Sequence, residues 1–408
     1  MLALPALRSR NYRLFFAGQL ISLIGTWMQQ IAMIWLAYRL TDSAVMLGLV
    51  GFASQIPILL FSTLAGVWND RLDRRRLLLW TQFFSMLQAF ALFALTVSAS
   101  VTPTLLVTLA FLLGCINAVD LPARQAFVAQ LVEDKADLPN AIGLNSLLMN
   151  GSRFVGPTLA GMIVAMAGEA ACFLVNAFSY LGVLIALAAI RLAPRPPLRP
   201  QPALTALRAG LDYAFRHPQI RLPLLMVAGF SFFVTPYAVL MPVFARDIFH
   251  GGAETYGFLI GSAGIGSLSA ALYLALRGRT GTSVGLDGLV AHATLAGGAA
   301  LTAFALVAAL FPVLYWAFPL LSLLGFAVVL TVAGSNILIQ TVVEESYRGR
   351  VMAIFSTAFL GIAPLGSLVV GTIGESLGVT QTLLLCGLLT LGLGTIYLRR
   401  LKVSQCIN

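Results

Sequence analysis

Apolar residues along this chain fall in long unbroken runs separated by short polar breaks. Twelve runs stand out: 14–38, 44–68, 76–97, 104–122, 140–166, 170–190, 222–245, 255–276, 288–309, 312–338, 351–373 and 378–398. About 20 apolar residues is the length at which a helix crosses the hydrocarbon of a bilayer. The pattern predicts an all-α membrane protein with twelve transmembrane helices in two six-helix bundles. Runs nine and ten have the shortest break, Phe311-Pro312.

The breaks fix the orientation. The densest is Gly66-Val-Trp-Asn-Asp70-Arg71-Leu-Asp73-Arg74-Arg75-Arg76-Leu77, between runs two and three. Charges of this kind cost about 2.5–3.5 kcal/mol each at the centre of a membrane, so the segment is a loop outside it. Placing that loop and the N-terminus inside puts 22 of the 25 basic residues on the cytoplasmic side; Arg39 and Arg246 fall outside and Arg153 falls within a run. A missed or extra helix would invert this bias downstream, so the bias supports twelve spans with both termini cytoplasmic. The first run follows Arg8, Arg10 and Arg13 and is long enough to span, so it reads as an uncleaved first helix.

The longest polar interruption, 191–221, holds Pro194, Pro196, Pro197 and Pro200 among arginines and reads as extended chain. Its later part has Leu204, Leu207, Leu211 and Phe215 on one side, which predicts a short amphipathic helix on the inner membrane surface. The chain therefore divides into an N-terminal bundle over 1–192, a cytoplasmic linker over 193–221 and a C-terminal bundle over 222–408. The halves look related. Gln130-Leu-Val-Glu133-Asp134 leads into a run with Gly156-Pro157 and Gly161, and Gln340-Thr-Val-Val-Glu344-Glu345 leads into one with Pro364, Gly366 and Gly371. Paired six-helix repeats are a transporter architecture, with the substrate site between the halves near the midplane.

Composition narrows the class further. The chain is 59% hydrophobic and 10% charged, with mean hydropathy +0.92, where soluble domains are about 25% charged. The net charge of +10 does not signal nucleic acid, because the basic residues sit in short loops and form no single basic face. Cys115, Cys172, Cys386 and Cys406 have no paired spacing and read as small core or tail residues; the histidines have no metal-ligand spacing. There is no GxSxG, phosphate-binding loop or HExxH, so neither enzyme activity nor a bound cofactor or metal is expected.

Several polar residues lie where lipid would penalise them. In span one, Gln19, Ser22, Thr26 and Gln29 share a helix face, flanked by Gln30 and Trp35. They form either a cavity wall for a polar ligand or polar contacts between helices. In span five, Asn150, Arg153 and Pro157 share a face. Arg153 is either an anchor for a carboxylate, catecholate or phosphate, or half of an ion pair, with Asp120 at the end of span four as its candidate partner. The surrounding Gly151, Gly156, Pro157 and Gly161 serve as a hinge or as close packing. Asn117, Asp120 and Arg124 share a face in span four and are expected to pair with the loop at 70–76. In the second half, Ser231, Thr235, Tyr237, Asn336 and Gln340 are candidate lining groups, and Asp287 and His292 are candidate proton carriers.

Gly66-x3-Asp70-Arg71-x2-Arg74-Arg75-x-Leu77 resembles the loop between spans two and three of the major facilitator superfamily, with Asp73 where that pattern has a second glycine. The resemblance implies that Gly66, Asp70, Arg71, Arg74 and Arg75, with Asp120 and Arg124 beside them, form a cytoplasmic gate that holds the inner side closed in the outward-open state. The run at Gly156-Pro157 resembles the exporter motif of the same superfamily, with Ala160 replacing one glycine. Asn11-Tyr-Arg13-Leu-Phe-Phe-Ala-Gly18-Gln19-x2-Ser22-x2-Gly25-Thr26-x2-Gln29 and Asp120-x-Pro122-Ala123-Arg124-Gln125-Ala126 are similar to the bacterial enterobactin-exporter-like branch, which carries out drug and siderophore efflux. The implied protein is a monomeric secondary transporter in the bacterial cytoplasmic (inner) membrane. It is a proton-coupled antiporter that exports a small amphipathic or anionic substrate by alternating access, with protons and membrane lipids as its other partners. A lipid or lysophospholipid flippase of the same fold is the alternative, ahead of a non-transporting receptor.

Overall fold

The computed structural model describes residues 5–132, 134–191, 203–278 and 285–407, and the side chains of these apart from 62–71, 135, 203–207, 278 and 402–407. Among the described residues there are helices and no strands. The first half comprises α1 (Arg10–Thr41), α2 (Ala44–Arg71), α3 (Arg74–Val97), α4 (Pro103–Leu131) and α5 (Leu138–Ala189). The amphipathic α6 (Ala203–Arg216) follows. The second half comprises α7 (Pro218–Phe233), α8 (Tyr237–Val243), α9 (Ala253–Gly278), α10 (Leu286–Leu310), α11 (Leu314–Val342), α12 (Glu345–Ser356), α13 (Ala363–Leu377) and α14 (Val379–Ile407). Eleven helical segments among these are long and apolar enough to cross a membrane.

The twelfth crossing lies within α5. Its 52 residues would reach about 78 Å if straight, well over twice the hydrocarbon thickness. Gly168, at φ 77 and ψ 173, reverses the chain. The Cys172 thiol then donates to the Ala160 carbonyl at 3.8 Å, a pair that a straight helix would hold roughly 18 Å apart. The predicted break between runs five and six is this turn.

Two of the predicted spans are interrupted. Pro236 has no N–H and its ring opposes a fourth-back carbonyl, so span seven breaks between α7 and α8. It ends in a π-helical turn at Phe244–Ile248. Span eleven carries a second π-helical turn, Thr357–Gly361, immediately before Pro364. The second irregularity packs on α7, where the Ser231 hydroxyl donates to the Phe359 carbonyl in the π-helical turn.

The halves touch through α5 on α9 and α2 on α13. Both contacts are glycine on glycine. A Cβ on Gly257 would lie 2.6 Å from the Pro157 carbonyl and 2.7 Å from the Gly161 Cα. A Cβ on Gly371 would lie 2.7 Å from the Ala44 carbonyl and 2.8 Å from the Gly48 Cα. Of the exporter-like run in span five, Pro157 and Gly161 pack against the other half, whereas Gly156 packs on Trp27 of α1 and Gly151 has open space beside it.

One end of the bundle carries the start of α1, the linker and the end of α14; it is the linker face, and the opposite end is the far face. Apolar packing differs between them. Leu36, Leu47 and Phe173 of the first half share one buried cluster with Phe244, Tyr256 and Val370 of the second. Toward the linker face the clusters separate: Tyr12, Phe15, Leu78 and Phe127 in the first half, Ile220, Leu224, Val351 and Phe355 in the second. The molecule is closed at the far face and split at the linker face.

The amphipathic linker helix forms as its spacing predicts, and its docking is a finding beyond the sequence. Tyr213 stacks on Tyr347 of α12 with centroids 4.1 Å apart and planes at 5°. Ala214 is buried against the second half while Leu211 and Phe215 stay exposed. Leu204 and Leu207 lie outside the described side chains.

Candidate binding site

The close contact between α5 and α9 reaches the level of Arg153. The Arg153 carbonyl would be 2.6 Å from a Cβ on Gly264, so α9 rests on α5 at this level. Toward the linker face, Gly143 and Gly151 of α5 have open space beside them. Arg153 is half-buried, and its guanidinium carbon stands 5.3 Å from the centroid of the Trp27 ring. No described carboxylate pairs with it; the ion pairs between described residues are Arg39–Glu169, Arg124–Asp120, Arg246–Asp42 and Arg348–Glu345. The ionisable group within electrostatic reach of Arg153 is Tyr237, from the other half. Asn150 is one turn closer to the linker face, and its amide donates to the Ser146 carbonyl at 2.9 Å.

The span-one stripe points elsewhere. Gln29 donates to Gln88 at 2.7 Å and accepts from Asn176 at 2.8 Å. Thr26 donates to the Ser22 carbonyl and approaches the Tyr180 hydroxyl. Gln19 and Ser22 are buried in the same bundle, the Gln19 amide nitrogen without a partner. Gln29 joins α1 to α3 and α5 and Thr26 approaches α5, which is the interhelical alternative for these two residues. The common face was readable from spacing; the helices it meets were not. Gln30, three residues from Trp27, shares the face that looks toward Arg153. In the second half, Gln340 donates to Asn336 at 2.5 Å on α11, and Gln340 is exposed.

The gate residues are also placed within one half. The side chains of Gly66, Asp70 and Arg71 lie outside the described residues. Arg74 donates to the Ala126 carbonyl at 3.5 Å, and Arg75 donates to the Leu187 and Ala188 carbonyls at 2.6 Å each, capping the end of α5. Asp73 is the N-cap of α3, accepting from the Arg76 amide at 2.8 Å, which gives the departure from the glycine pattern a local use. Asp120 is fully buried and accepts from Thr81 at 2.7 Å and Gln82 at 2.8 Å, and pairs with Arg124 one turn along its own helix. It meets neither Arg153 nor the described part of the loop at 70–76, because α3 supplies nearer donors.

Asp287 and His292 lie on the second half away from the α5–α9 and α2–α13 contacts. Both lie on α10, which packs on α11 and α14. His292 is exposed and its Nδ1 is 2.6 Å from the Gly288 carbonyl; Asp287 lies beside Tyr397 of α14.

What sequence reasoning missed is the lock on the far face. Every hydrogen bond joining the halves between described residues is there. The Tyr38 hydroxyl donates to Asp247, and Arg246 donates to Asp42 at 2.5 Å. Glu375 of α13 accepts from the Ser43 hydroxyl at 3.2 Å and from the Ala44 and Val45 amides at 2.6 and 3.3 Å. It thereby caps α2 from the other half, using amides that have no partner within their own helix. A signal existed: Arg39 and Arg246 are the two basic residues on the wrong side of the charge bias. Each has an acid, Glu169 at 2.8 Å and Asp42.

A family profile described as transmembrane secretion effector matches residues 2–407. The chain is 28% identical over 403 residues to the staphyloferrin A transporter of Staphylococcus aureus, covering 96% of this chain and 97% of that one. It is 25% identical over 383 residues to the multidrug efflux pump Tap of Mycolicibacterium fortuitum, covering 91% of each. Among solved structures, the POT family transporter PepTSo superimposes with TM-score 0.76 at 13% identity, over 98% of this chain and 99% of that one, a likeness of fold.

Proposed function

Because the chain belongs to the transmembrane secretion effectors of the major facilitator superfamily, we propose that it is a proton-coupled antiporter exporting a small anionic or amphipathic molecule from the cytoplasm. The observation that carries this reading is Arg153, the single basic residue within the spans, without an acid partner among the described residues and set at the level that the close contact between α5 and α9 reaches. An unpaired cation in a low-dielectric site attracts an anionic group.

The linker face is the cytoplasmic side in this reading, with both termini there, since 22 of the 25 basic residues lie on that side. The conformer is then inward-facing, and cargo enters the cleft from the cytoplasm. Residues 1–192 and 222–408 rock against each other about the site, with 193–221 as the linker and the exposed Leu211 and Phe215 resting on the membrane surface. The transporter acts as a monomer in the bacterial cytoplasmic membrane. Relatives named for a siderophore and for drug efflux support a siderophore, drug or related metabolite as cargo. Once the far face opens, Asp70 and its neighbouring arginines close the cytoplasmic side.

Inside-out vesicles containing the protein test this reading with staphyloferrin A as the probe. Uptake into the lumen is expected when the lumen is acidic, and a protonophore is expected to reduce it to the level of empty vesicles. Uptake that ignores the protonophore would remove proton coupling. A comparison of medium from wild-type and deletion cells, expected to show an anionic metabolite missing from the latter, checks direction and cargo together.

A further inference from the structure

Arginines crowd one corner of the linker face without a counter-charge. Arg75 of α3 donates to the Leu187 and Ala188 carbonyls at 2.6 Å each, and Arg10 of α1 donates to the next carbonyl, Ala189, at 3.3 Å. The two guanidiniums therefore stand on three consecutive carbonyls at the end of α5. Arg76, next along α3, is exposed, and its side chain has no partner among the described residues. Asp73, the nearest acid along the chain, accepts from the Arg76 amide as the N-cap of α3, and the ion pairs between described residues lie elsewhere. Like charges held this close repel, so the corner calls for an anion.

Arg76 also heads an apolar stripe. Trp80, Phe83, Leu87 and Phe90 follow it at i+4, i+7, i+11 and i+14, on one face of α3. Trp80 is 61% exposed and its ring packs on Phe83 and Phe84. Phe90 meets Phe178 of α5 with centroids 5.7 Å apart. From there the exposed Phe178, Leu181 and Ile185 run back toward the arginines along one face of α5. A Cβ on Gly182, among them, would meet nothing within 4 Å, which leaves a notch in that face. The arginines thus head a seam between α3 and α5. From Arg76 to Phe90 it is roughly 21 Å long, close to the depth of one leaflet with its headgroups.

We propose that this corner seats an anionic phospholipid of the linker-face leaflet, with its phosphate on Arg10, Arg75 and Arg76 and an acyl chain along the seam between α3 and α5. A guanidinium has five N–H donors; the carbonyls take two from Arg75 and one from Arg10, so donors remain for phosphate oxygens. A lipid is favoured over a free anion because the charges open directly onto exposed aromatic and aliphatic side chains. An anionic headgroup is favoured over a zwitterionic one, which would return a cation to a corner that already holds three. Trp80, one turn below Arg76, is placed as aromatic residues are at the headgroup boundary. The bound lipid ties α1, α3 and α5 together at this corner of the first half. The proposal rests on the membrane placement of the helices and not on Arg153.

Quenching of tryptophan fluorescence tests the seat in the purified full-length protein in neutral-detergent micelles. Brominated phosphatidylglycerol and brominated phosphatidylcholine are the probes, and the part of the quenching that Trp80→Phe removes is the signal. Phosphatidylglycerol is expected to bind at least about ten-fold more tightly than phosphatidylcholine. Arg76→Gln breaks no side-chain contact with a described residue, so it is expected to cut that preference several-fold with the melting temperature of lipid-free protein unchanged. Adding Arg10→Gln is expected to remove the preference. Inorganic phosphate at millimolar concentration is expected to leave the quenching as it was. Equal affinity for the two lipids, a preference that survives both arginine substitutions, or quenching that Trp80→Phe leaves intact overturns the lipid seat. Displacement of the lipid by inorganic phosphate would assign the arginines to a free anion and overturn it as well. Cargo and protons do not enter this readout, so its failure is distinct from failure of the antiport reading.

Discussion

Gly257→Leu is expected to abolish transport while leaving the protein inserted and folded. The α5–α9 contact has no room for a side chain: a Cβ at this position would sit 2.6 Å from the Pro157 carbonyl and 2.7 Å from the Gly161 Cα. Those are backbone atoms, so no rotamer change relieves the clash. Overpacking of this kind costs about 1–3 kcal/mol for a few added carbons and more against rigid backbone. The contact belongs to the conformer closed at the far face; if the halves part there during transport, as proposed, the penalty falls on that conformer and shifts the population by roughly ten- to hundred-fold or more. Thiol labelling of single cysteines checks the direction, with far-face positions gaining reactivity and linker-face positions losing it. Gly143→Ala is the control: its Cβ would meet nothing within 4 Å, and alanine in a helix interior is favoured by about 1 kcal/mol. Transport at the wild-type rate by Gly257→Leu would mean that the glycine crossing is dispensable to closure.

Arg153→Ala is expected to lose efflux by about 30- to 1,000-fold, which corresponds to the roughly 2–4 kcal/mol lost when a buried charge pair with a ligand is truncated. The sign of the stability change separates a binding role from a structural one. Were Arg153 half of an ion pair, its removal would strand a buried acid and cost about 3–5 kcal/mol. No described carboxylate pairs with it. Removing an uncompensated charge from the protein interior instead relieves desolvation, so the melting temperature of Arg153→Ala is expected to hold or rise while transport falls. Arg153→Lys keeps the charge and loses the planar fork, and an intermediate efflux rate is expected. Wild-type efflux in Arg153→Ala, or a steep fall in stability with activity lost in proportion, would sink the anion-site reading.

The helical framework was readable because its signals are intrinsic to the chain. Runs of apolar residues, the arginines that border them and the prolines of the linker act locally, and each was read without knowledge of a neighbour. The turn at Gly168 is of this kind, and so is the break between Leu310 and Leu314. The site was less readable because spacing says which residues share a face and is silent on what that face meets. Gln29 illustrates the limit: its stripe is real, but Gln88 and Asn176 satisfy its amide inside the first half. Asp120 shows the same, since Thr81 and Gln82 reach it from a helix about forty residues away in sequence. Arg153 was readable because no neighbour is needed to make a charge in a span costly.

The capping of α2 by Glu375 has a consequence for measurement. The amides of Ala44 and Val45 are in the first turn of their helix, where no carbonyl of the same helix can protect them. Their protection from exchange with solvent deuterium depends on a carboxylate delivered by the other half of the molecule. The exchange rate at these two positions therefore reports how often the halves part at that end. The wild-type chain carries its own clock for the transport cycle, readable by mass spectrometry without a label, a probe molecule or a known cargo.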